Sequence, residues 1–478
     1  MIQRQQSRSP RWTLRLILLN VCIGQAIVGL DQRALLVALP TLTKSFHAAF
    51  TNIQWTILIY DLILIGLVIT MGRLGDLFGR RRFYSLGFLL FVIGSALCGI
   101  AQSAAQLILF RALQAIGGSM ISANGRAIAS IAFPHEERGK ALGFASMAFH
   151  IGFLTGPSLG GFLIDTVGWR WIFYVNVPIG IWGAYLAWKI IAETRVEGEP
   201  VSVDFLGAGF LLLTNCLFIY AIDQLPRLGW HHPTVLLILS LSLIALALLV
   251  LTEMKTKTPI LIVSFFRNRL FSAGMLSLFF VSLTQSAISF LLPFYLQNLR
   301  GFSPSQAGWI IVADSAIIMI MAPVAGWLSD RFGSRLLCTV GCGIIVIAQF
   351  LVALFGLQSS ILSIMAPLTV WGLGWAFFNS PNQSAILGSV TLDKMGAASG
   401  MTATTARTGG AMGVALSSTL FTYMLFGTGL SRAQIDSPQS WSTAPQMFMA
   451  SFGHTVHIVN FLTLLAVFFS AVRGPRRY

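Results

Sequence analysis

The sequence predicts an all-α integral membrane protein of about fourteen spanning helices, arranged as two six-helix bundles with two helices inserted between them. Three observations carry this reading: an apolar composition, a long series of apolar runs of membrane length, and a segment that recurs 254 residues downstream. Of 478 residues, 55% are hydrophobic and only 10% charged, and mean hydropathy is +0.78. A soluble domain carries about 25% charged residues, so this chain lacks the material for a water-facing surface. The bilayer is the solvent that accepts it, provided that every backbone polar group is bonded internally, as in helices.

A helix needs about 20 apolar residues to cross ~30 Å of hydrocarbon, and such runs follow one another along the chain. The first, near 14–38, follows a basic arm and meets no small-residue cleavage site before the next loop, so it is expected to be retained rather than removed as a signal peptide. The second, near 52–71, ends at a Gly- and Arg-rich turn; the third and fourth lie near 84–101 and 106–128. The fifth, 139–164, carries regularly spaced glycines, and the sixth, 170–191, opens on Trp169-Arg170-Trp171. Spans near 205–222 and 234–252 are the inserted pair. The last six lie near 271–296, 305–327, 336–356, 361–387, 396–425 and 448–472. The expected organisation is a first bundle over 1–195, the inserted helices and linkers over 196–258, and a second bundle over 259–478.

A net charge of +15 in a soluble protein would suggest nucleic acid, but its distribution excludes that partner. With the N-terminus inside, most Lys and Arg fall in cytoplasmic loops and termini, among them Arg8, Arg11, Arg80, Arg81, Arg82, Lys255, Lys257, Arg267, Arg269, Arg476 and Arg477. Lys44, Arg170, Arg227, Arg300 and Arg432 fall on the other side, and Arg33, Arg111, Arg126 and Arg407 within spans. That asymmetry is the positive-inside rule, so the basic balance reports orientation, with some contact to anionic lipid. A multi-pass protein of the cell (inner) membrane with both termini cytoplasmic is expected. Cys22, Cys98, Cys216, Cys338 and Cys342 all fall in apolar runs and read as small packing residues, since disulfide frameworks belong to small secreted domains.

The repeat sets the architecture. Gly72-Arg73-Leu74-Gly75-Asp76-Leu77-Phe78-Gly79-Arg80-Arg81 follows the second span, and Gly326-Trp327-Leu328-Ser329-Asp330-Arg331-Phe332-Gly333-Ser334-Arg335 follows the tenth. Gly, Leu, Asp, Phe, Gly and Arg recur in register. Parallel six-helix repeats are a transporter plan, and an insertion of two helices places the equivalent of span two at span ten. Gly72 and Gly79 are expected to allow a tight connection there, with Asp76 supplying a carboxylate near a helix N-terminus. In span five, Gly152, Gly156 and Gly160 repeat at four-residue spacing beside Gly161, which permits close helix contact. Pro157 removes one helix hydrogen bond and permits a bend.

These segments resemble a known family. Gly72 to Arg81 is similar to the cytoplasmic signature of the major facilitator superfamily. Gly152 to Gly161 resembles its antiporter motif, and Arg111, Gln114, Gly117 and Gly118 resemble its fourth-helix motif. Leu30-Asp31 with Val37-Ala38-Leu39-Pro40, and Trp169 through Gly180, are similar to the fourteen-helix drug:proton antiporter branch. The resemblance covers essentially the whole chain and implies a major facilitator fold whose two bundles rock around a central cavity. It implies that Asp76, with Gly72, Gly79, Arg80 and the second copy Asp330, holds the halves closed on the cytoplasmic side, and that span five seals the path against leak. It implies that Arg111 takes part in proton relay; the other reading of Arg111 is that it satisfies carbonyls and a carboxylate in the packed N-terminal half. One departure is clear: small polar residues are expected after Asp31, but Gln32 and Arg33 follow.

Ionisable groups inside the spans carry the chemistry. Of the acids, Asp31, Asp61 and Asp314 sit well inside apolar helices, where a charge costs roughly 2.5–3.5 kcal/mol by insertion scales. The 254-residue offset carries Asp61 to position 315, one residue from Asp314. A buried carboxylate with a raised pKa can hold a proton in one state and a cation in another, which is what exchange of protons for a cation requires. Two readings stay open: these acids do that work, or they form structural ion pairs with buried arginines. Arg33 either neutralises Asp31 or Asp61 or meets an anionic part of a substrate. Tyr60, beside Asp61, and Trp375, on a Gly-rich helix with Pro381, are candidates for contact with planar molecules by stacking or cation–π contact.

No phosphate-binding Gly-rich loop, nucleophile motif or metal-protease motif occurs, so the chain is not expected to be an enzyme, and no cofactor or metal is expected. Transport would be driven by a proton gradient. The expected activity is export of small amphiphilic, often cationic compounds in exchange for protons, by a monomer whose partners are that solute, protons and membrane lipid. Two alternatives differ in class: a substrate-specific metabolite carrier, exporter or uptake symporter, whose partly anionic substrate meets Arg33, and a helical membrane protein without transport.

Overall fold

The computed structural model describes residues 11–134, 137–194, 203–256, 259–391, 394–430, 434–435, 441 and 444–474, and no strand occurs among them. Arg8, Lys257, Arg432, Arg476 and Arg477, which enter the orientation reading, lie outside the described residues.

Thirteen helices among the described residues are long and apolar enough to cross a membrane. In chain order the helices are α1 (Arg11–Phe46), the short α2 (Phe50–Ile53), α3 (Trp55–Phe78), α4 (Arg80–Ile100), α5 (Ala104–Ala132) and α6 (Arg138–Thr166). Then come α7 (Trp171–Tyr174), α8 (Asn176–Ile190), α9 (Phe205–Leu228) and α10 (Pro233–Lys255). The series ends with α11 (Arg269–Phe294), α12 (Pro304–Phe332), α13 (Ser334–Ala353), α14 (Ile361–Leu387), α15 (Met395–Gly427) and α16 (Pro445–Val472). The sixth predicted span is therefore two pieces, α7 and α8, divided at Val175. Pro178 explains the break, because it has no N–H to return to the carbonyl of Tyr174 four residues back. With 15 residues, α8 is about 22 Å long, short of the ~30 Å hydrocarbon core, and α7 makes up the difference.

The turn after the second span is shorter than the sequence suggests. Helix α3 continues to Phe78, and the chain reverses at Gly79, whose φ of +108° suits glycine. The second repeat does the same: α12 runs to Phe332, and Gly333 has φ +85°. Gly72 therefore lies inside α3, and its expected part in the tight connection is corrected. A Cβ at Gly72 would meet Ala123 Cβ at 3.6 Å, an ordinary contact.

The chain divides into two compact units, one of residues up to Ala38 with Trp55–Ala208, the other of Leu39–Gln54 with the residues from Gly209 on. In the first unit α4 lies against α5 at glycine contacts: a Cβ at Gly94 would sit 2.6 Å from the Gln114 backbone, and one at Gly87 would sit 2.7 Å from Met120 Cβ. Tyr84, Phe88 and Phe91 form the core beside them. In the second unit Gly341 of α13 and Gly374 of α14 face each other, each hypothetical Cβ 2.8 Å from the other's carbonyl oxygen. Lipid offers apolar side chains no reason to leave it, so such backbone approach and buried hydrogen bonds hold the helices together.

Candidate functional site

The polar centre of the first unit is built on α1, α5 and α8. Asp31 is fully buried, and its Oδ2 takes a hydrogen bond from Arg111 Nη1 at 2.5 Å. Its other oxygen accepts from Gln114 Nε2 at 2.9 Å and Asn176 Nδ2 at 3.1 Å. Arg111, 1% exposed, also donates to the Thr56 carbonyl at 3.2 Å and to Gln114 Oε1 at 2.7 Å. Its guanidinium lies 4.2 Å from the centre of the Tyr60 ring. A buried ion pair persists only when its remaining hydrogen-bonding positions are filled, and here three helices fill them. Three of the predicted site residues, Asp31, Tyr60 and Arg111, are thus brought together. The partner of Asp31 is Arg111, which settles that half of the question raised over Arg33.

Arg33 is two residues further along α1, buried, with its guanidinium 4.4 Å above the Phe153 ring of α6. It packs against the glycine-rich face. A Cβ at Gly156 would lie 2.8 Å from Arg33 Cβ, and one at Gly160 would lie 3.0 Å from Ala34 Cα. A Cβ at Gly152 would run into the Ala26 carbonyl. Pro157 and Gly161 are buried on the same helix. The antiporter-like segment is thus the surface that lets α6 touch the backbone of α1. The second unit repeats the device in residues that sequence reading passed over. Hypothetical Cβ atoms at Gly409 and Gly413 of α15 would meet the carbonyls of Phe279 and Leu283 on α11. In both units the glycines and the carbonyls they approach are four residues apart; the signal was present as Gly409 and Gly413 but lacked the proline.

Asp61 is half-buried on α3, and the Gln32 amide approaches its Oδ1 at 3.5 Å. Asp314, on α12, is buried and accepts a 2.6 Å hydrogen bond from Ser315 Oγ. The register between the repeats is now visible in contacts. Gly118 of α5 leaves room for Tyr60, its hypothetical Cβ 2.5 Å from the hydroxyl, and Gly372 of α14 leaves room for the Asp314 backbone. Both members of the first pair map onto the second by 254 residues, so the counterpart of Asp314 is Tyr60. Asp61 corresponds to Ser315. The two acids are therefore offset by about 100° around the helix within their own units. Trp375 is half-buried one turn beyond Gly372, its ring 6.3 Å from that of Phe378.

At the end of α3, Asp76 Oδ1 accepts from Arg80 Nε at 2.7 Å, and Arg80 Nη2 lies 2.5 Å away. In the second repeat the position of Arg80 is Ser334, and Asp330 is exposed, with no ion-pair partner among the described residues. The two loops are alike in backbone and unlike in charge. Sequence reading missed Glu193 beyond α8, whose Oε1 accepts the Arg81 backbone N–H at 3.1 Å while Oε2 lies 3.4 Å from Arg82 Nε. It caps α4 with a negative group at the positive end of the helix. His454 and His457 are exposed on α16, and no group of three potential metal ligands occurs among the described residues.

Two units of apolar helices, one of them sealing an ion pair, define a multi-pass membrane protein. Residues 21–414 match the family model of the Major Facilitator Superfamily, and the chain belongs to that superfamily, a family of transporters and not of enzymes. It is 34% identical over 442 residues to the riboflavin transporter RibZ of Clostridioides difficile, covering 91% of this chain and 95% of that protein. It is 30% identical over 405 residues to the multidrug resistance protein Stp of Mycobacterium tuberculosis H37Rv, covering 84% and 75%. Among solved structures it resembles a bacterial homologue of the human lysosomal transporter Spinster in an inward-facing, unoccupied conformation. That likeness has a TM-score of 0.71 at 17% identity over 97% of this chain and 98% of the other, and bears on the fold alone.

Proposed function

We propose that this protein is a proton-coupled secondary transporter of the cell membrane, both termini cytoplasmic, that exports small amphiphilic and mainly cationic compounds by alternating access. The observation that carries the reading is the placement of three carboxylates in membrane-spanning helices, of which Asp31 has its full set of partners in Arg111, Gln114 and Asn176. The exchange of a proton for a cation then falls to Asp61 and Asp314, and the Asp31–Arg111 pair positions the helix from which Arg33 projects. Protonation of a carboxylate removes the charge that attracts a cation, so the two ligands displace each other. The similarity to Stp, a multidrug resistance protein, supports the cationic, amphiphilic class.

A second reading has its own support. The similarity to RibZ, a riboflavin transporter, extends over nearly the full length of both chains, and Arg33 puts a positive group where a lipophilic cation is poorly served. On that reading the solute is planar, polar and not cationic, with Tyr60 or Trp375 as a stacking partner. Purified protein in proteoliposomes distinguishes the two. Export of cations predicts proton release on adding ethidium and ethidium flux driven by a pH gradient; the flavin reading predicts riboflavin flux with no proton release on adding ethidium.

A further inference from the structure

The second unit holds a segment that belongs in sequence between the first two spans. Leu39–Gln54 contains the short helix α2, and its Phe50 is 1% exposed. The Phe50 ring sits among four others: Phe290 at 5.3 Å and Phe294 at 4.8 Å on α11, Phe421 at 5.6 Å on α15, and Trp441 at 5.3 Å. Trp441, equally buried, stacks on Phe448 of α16 at 4.7 Å. The polar flank of α2 is held by the first inserted span. Gln54 Nε2 donates to Asp223 Oδ1 of α9 at 2.6 Å, both groups buried. Arg227 Nη2, one turn on, donates to Thr51 Oγ1 at 2.8 Å and Asn52 Oδ1 at 3.3 Å. Helix α9 is in turn tied to α15, where Thr419 Oγ1 donates to the Ile222 carbonyl at 3.0 Å.

We infer that α2, which joins α1 to the start of α3, is a latch, and that the inserted span α9 is there to clasp it. An aromatic ring enclosed by other rings has a large area to expose on leaving, and Asp223, which also accepts from Gln224 Nε2 at 3.1 Å, would lose the shorter bond from Gln54. The seated position is the one observed, and release during the transport cycle is its proposed second position. Because Leu39–Gln54 continues into α1 at one end and α3 at the other, withdrawal changes the ends of the two helices that carry Asp31, Arg33, Tyr60 and Asp61. Seating and release of α2 are thereby part of the transport cycle, and the clasp gives the inserted pair a task in it. The inference rests on the transport cycle proposed above.

The test is a double variant, Thr51→Cys with Arg227→Cys, joined in proteoliposomes by a short bifunctional methanethiosulfonate and assayed for both ethidium and riboflavin flux. The latch predicts that flux in the same preparation falls by about tenfold or more on cross-linking and returns on reduction. Unchanged flux in fully cross-linked protein overturns it. If the double variant does not fold, or the unmodified protein moves neither solute, hydrogen exchange of the unmodified protein in detergent at about pH 3.5 and about pH 7, on either side of the ordinary carboxylate range, reads the latch directly. Amides of 50–54 and 446–448 must then change protection together; independent or unchanged exchange overturns the latch. Absence of flux in the unmodified protein counts against the proposed function instead.

Discussion

Asp31 and Arg111 are the least replaceable charged residues, and the reason is desolvation. Each satisfies the other inside the first unit, with Gln114, Asn176 and Thr56 taking the remaining positions. Removing one partner of a buried pair leaves the other uncompensated, at about 3–5 kcal/mol. Asp31→Asn and Arg111→Met are each expected to lower the unfolding temperature of purified protein sharply, and the double variant to regain part of the loss. Strict additivity of the two in thermal unfolding would contradict the pairing. The acids themselves were legible in the sequence, since a carboxylate in an apolar span stands out. Pairing with a buried arginine was one of the open readings, but the amide partners were not legible, because Asn176 and Gln114 are ordinary amides until folding brings them to Asp31. The one-residue offset between Asp61 and the counterpart of Asp314 was legible from the repeat, and the contacts of Gly118 and Gly372 agree with it.

Among the helices, glycine does two different jobs that sequence alone does not separate. Gly79 turns the chain with positive φ beside Glu193, while Gly156 and Gly413 admit a neighbouring helix. Gly143, on the same helix as Gly156, has open space where a Cβ would go, and Gly72 has ordinary room. Accordingly Gly72→Ala and Gly143→Ala are expected to leave thermal stability unchanged. Gly79→Ala is expected to lose roughly 1–2 kcal/mol from left-handed backbone strain, and Gly156→Val about 1–3 kcal/mol from overpacking. Equal effects at all four positions would show that the contacts are not what the glycines serve. The spans themselves were readable from hydropathy because each is a long apolar run. The break at Val175 was not, since Pro178 was met inside a segment whose composition is that of one continuous span. The charge of Glu193 was likewise silent, because a single acid at a span end has no signature until it meets the Arg81 amide.

For the whole molecule, the repeat explains both what was visible and what was hidden. Gly, Asp and Gly in the two turns gave the twofold plan directly, yet Ser334 at the position of Arg80 means that only the first turn has an Asp–Arg pair. Arg80→Ala is therefore expected to impair transport more than Asp330→Asn in the same flux assay; the reverse order would contradict a part for the Asp76–Arg80 pair in transport. The segment Leu39–Gln54 was invisible as a structural part, because its partners lie far along the chain. The central claim is that Asp61 and Asp314 alternate between a proton and a solute. It is tested most directly by Asp61→Asn and Asp314→Asn, each reconstituted in vesicles, with efflux of mono- and dicationic dyes and proton counterflow recorded together. Each variant should reach the membrane and lose both the efflux of dicationic dyes and the counterflow that accompanies it. Efflux and counterflow at the unmodified level in both variants would contradict the claim.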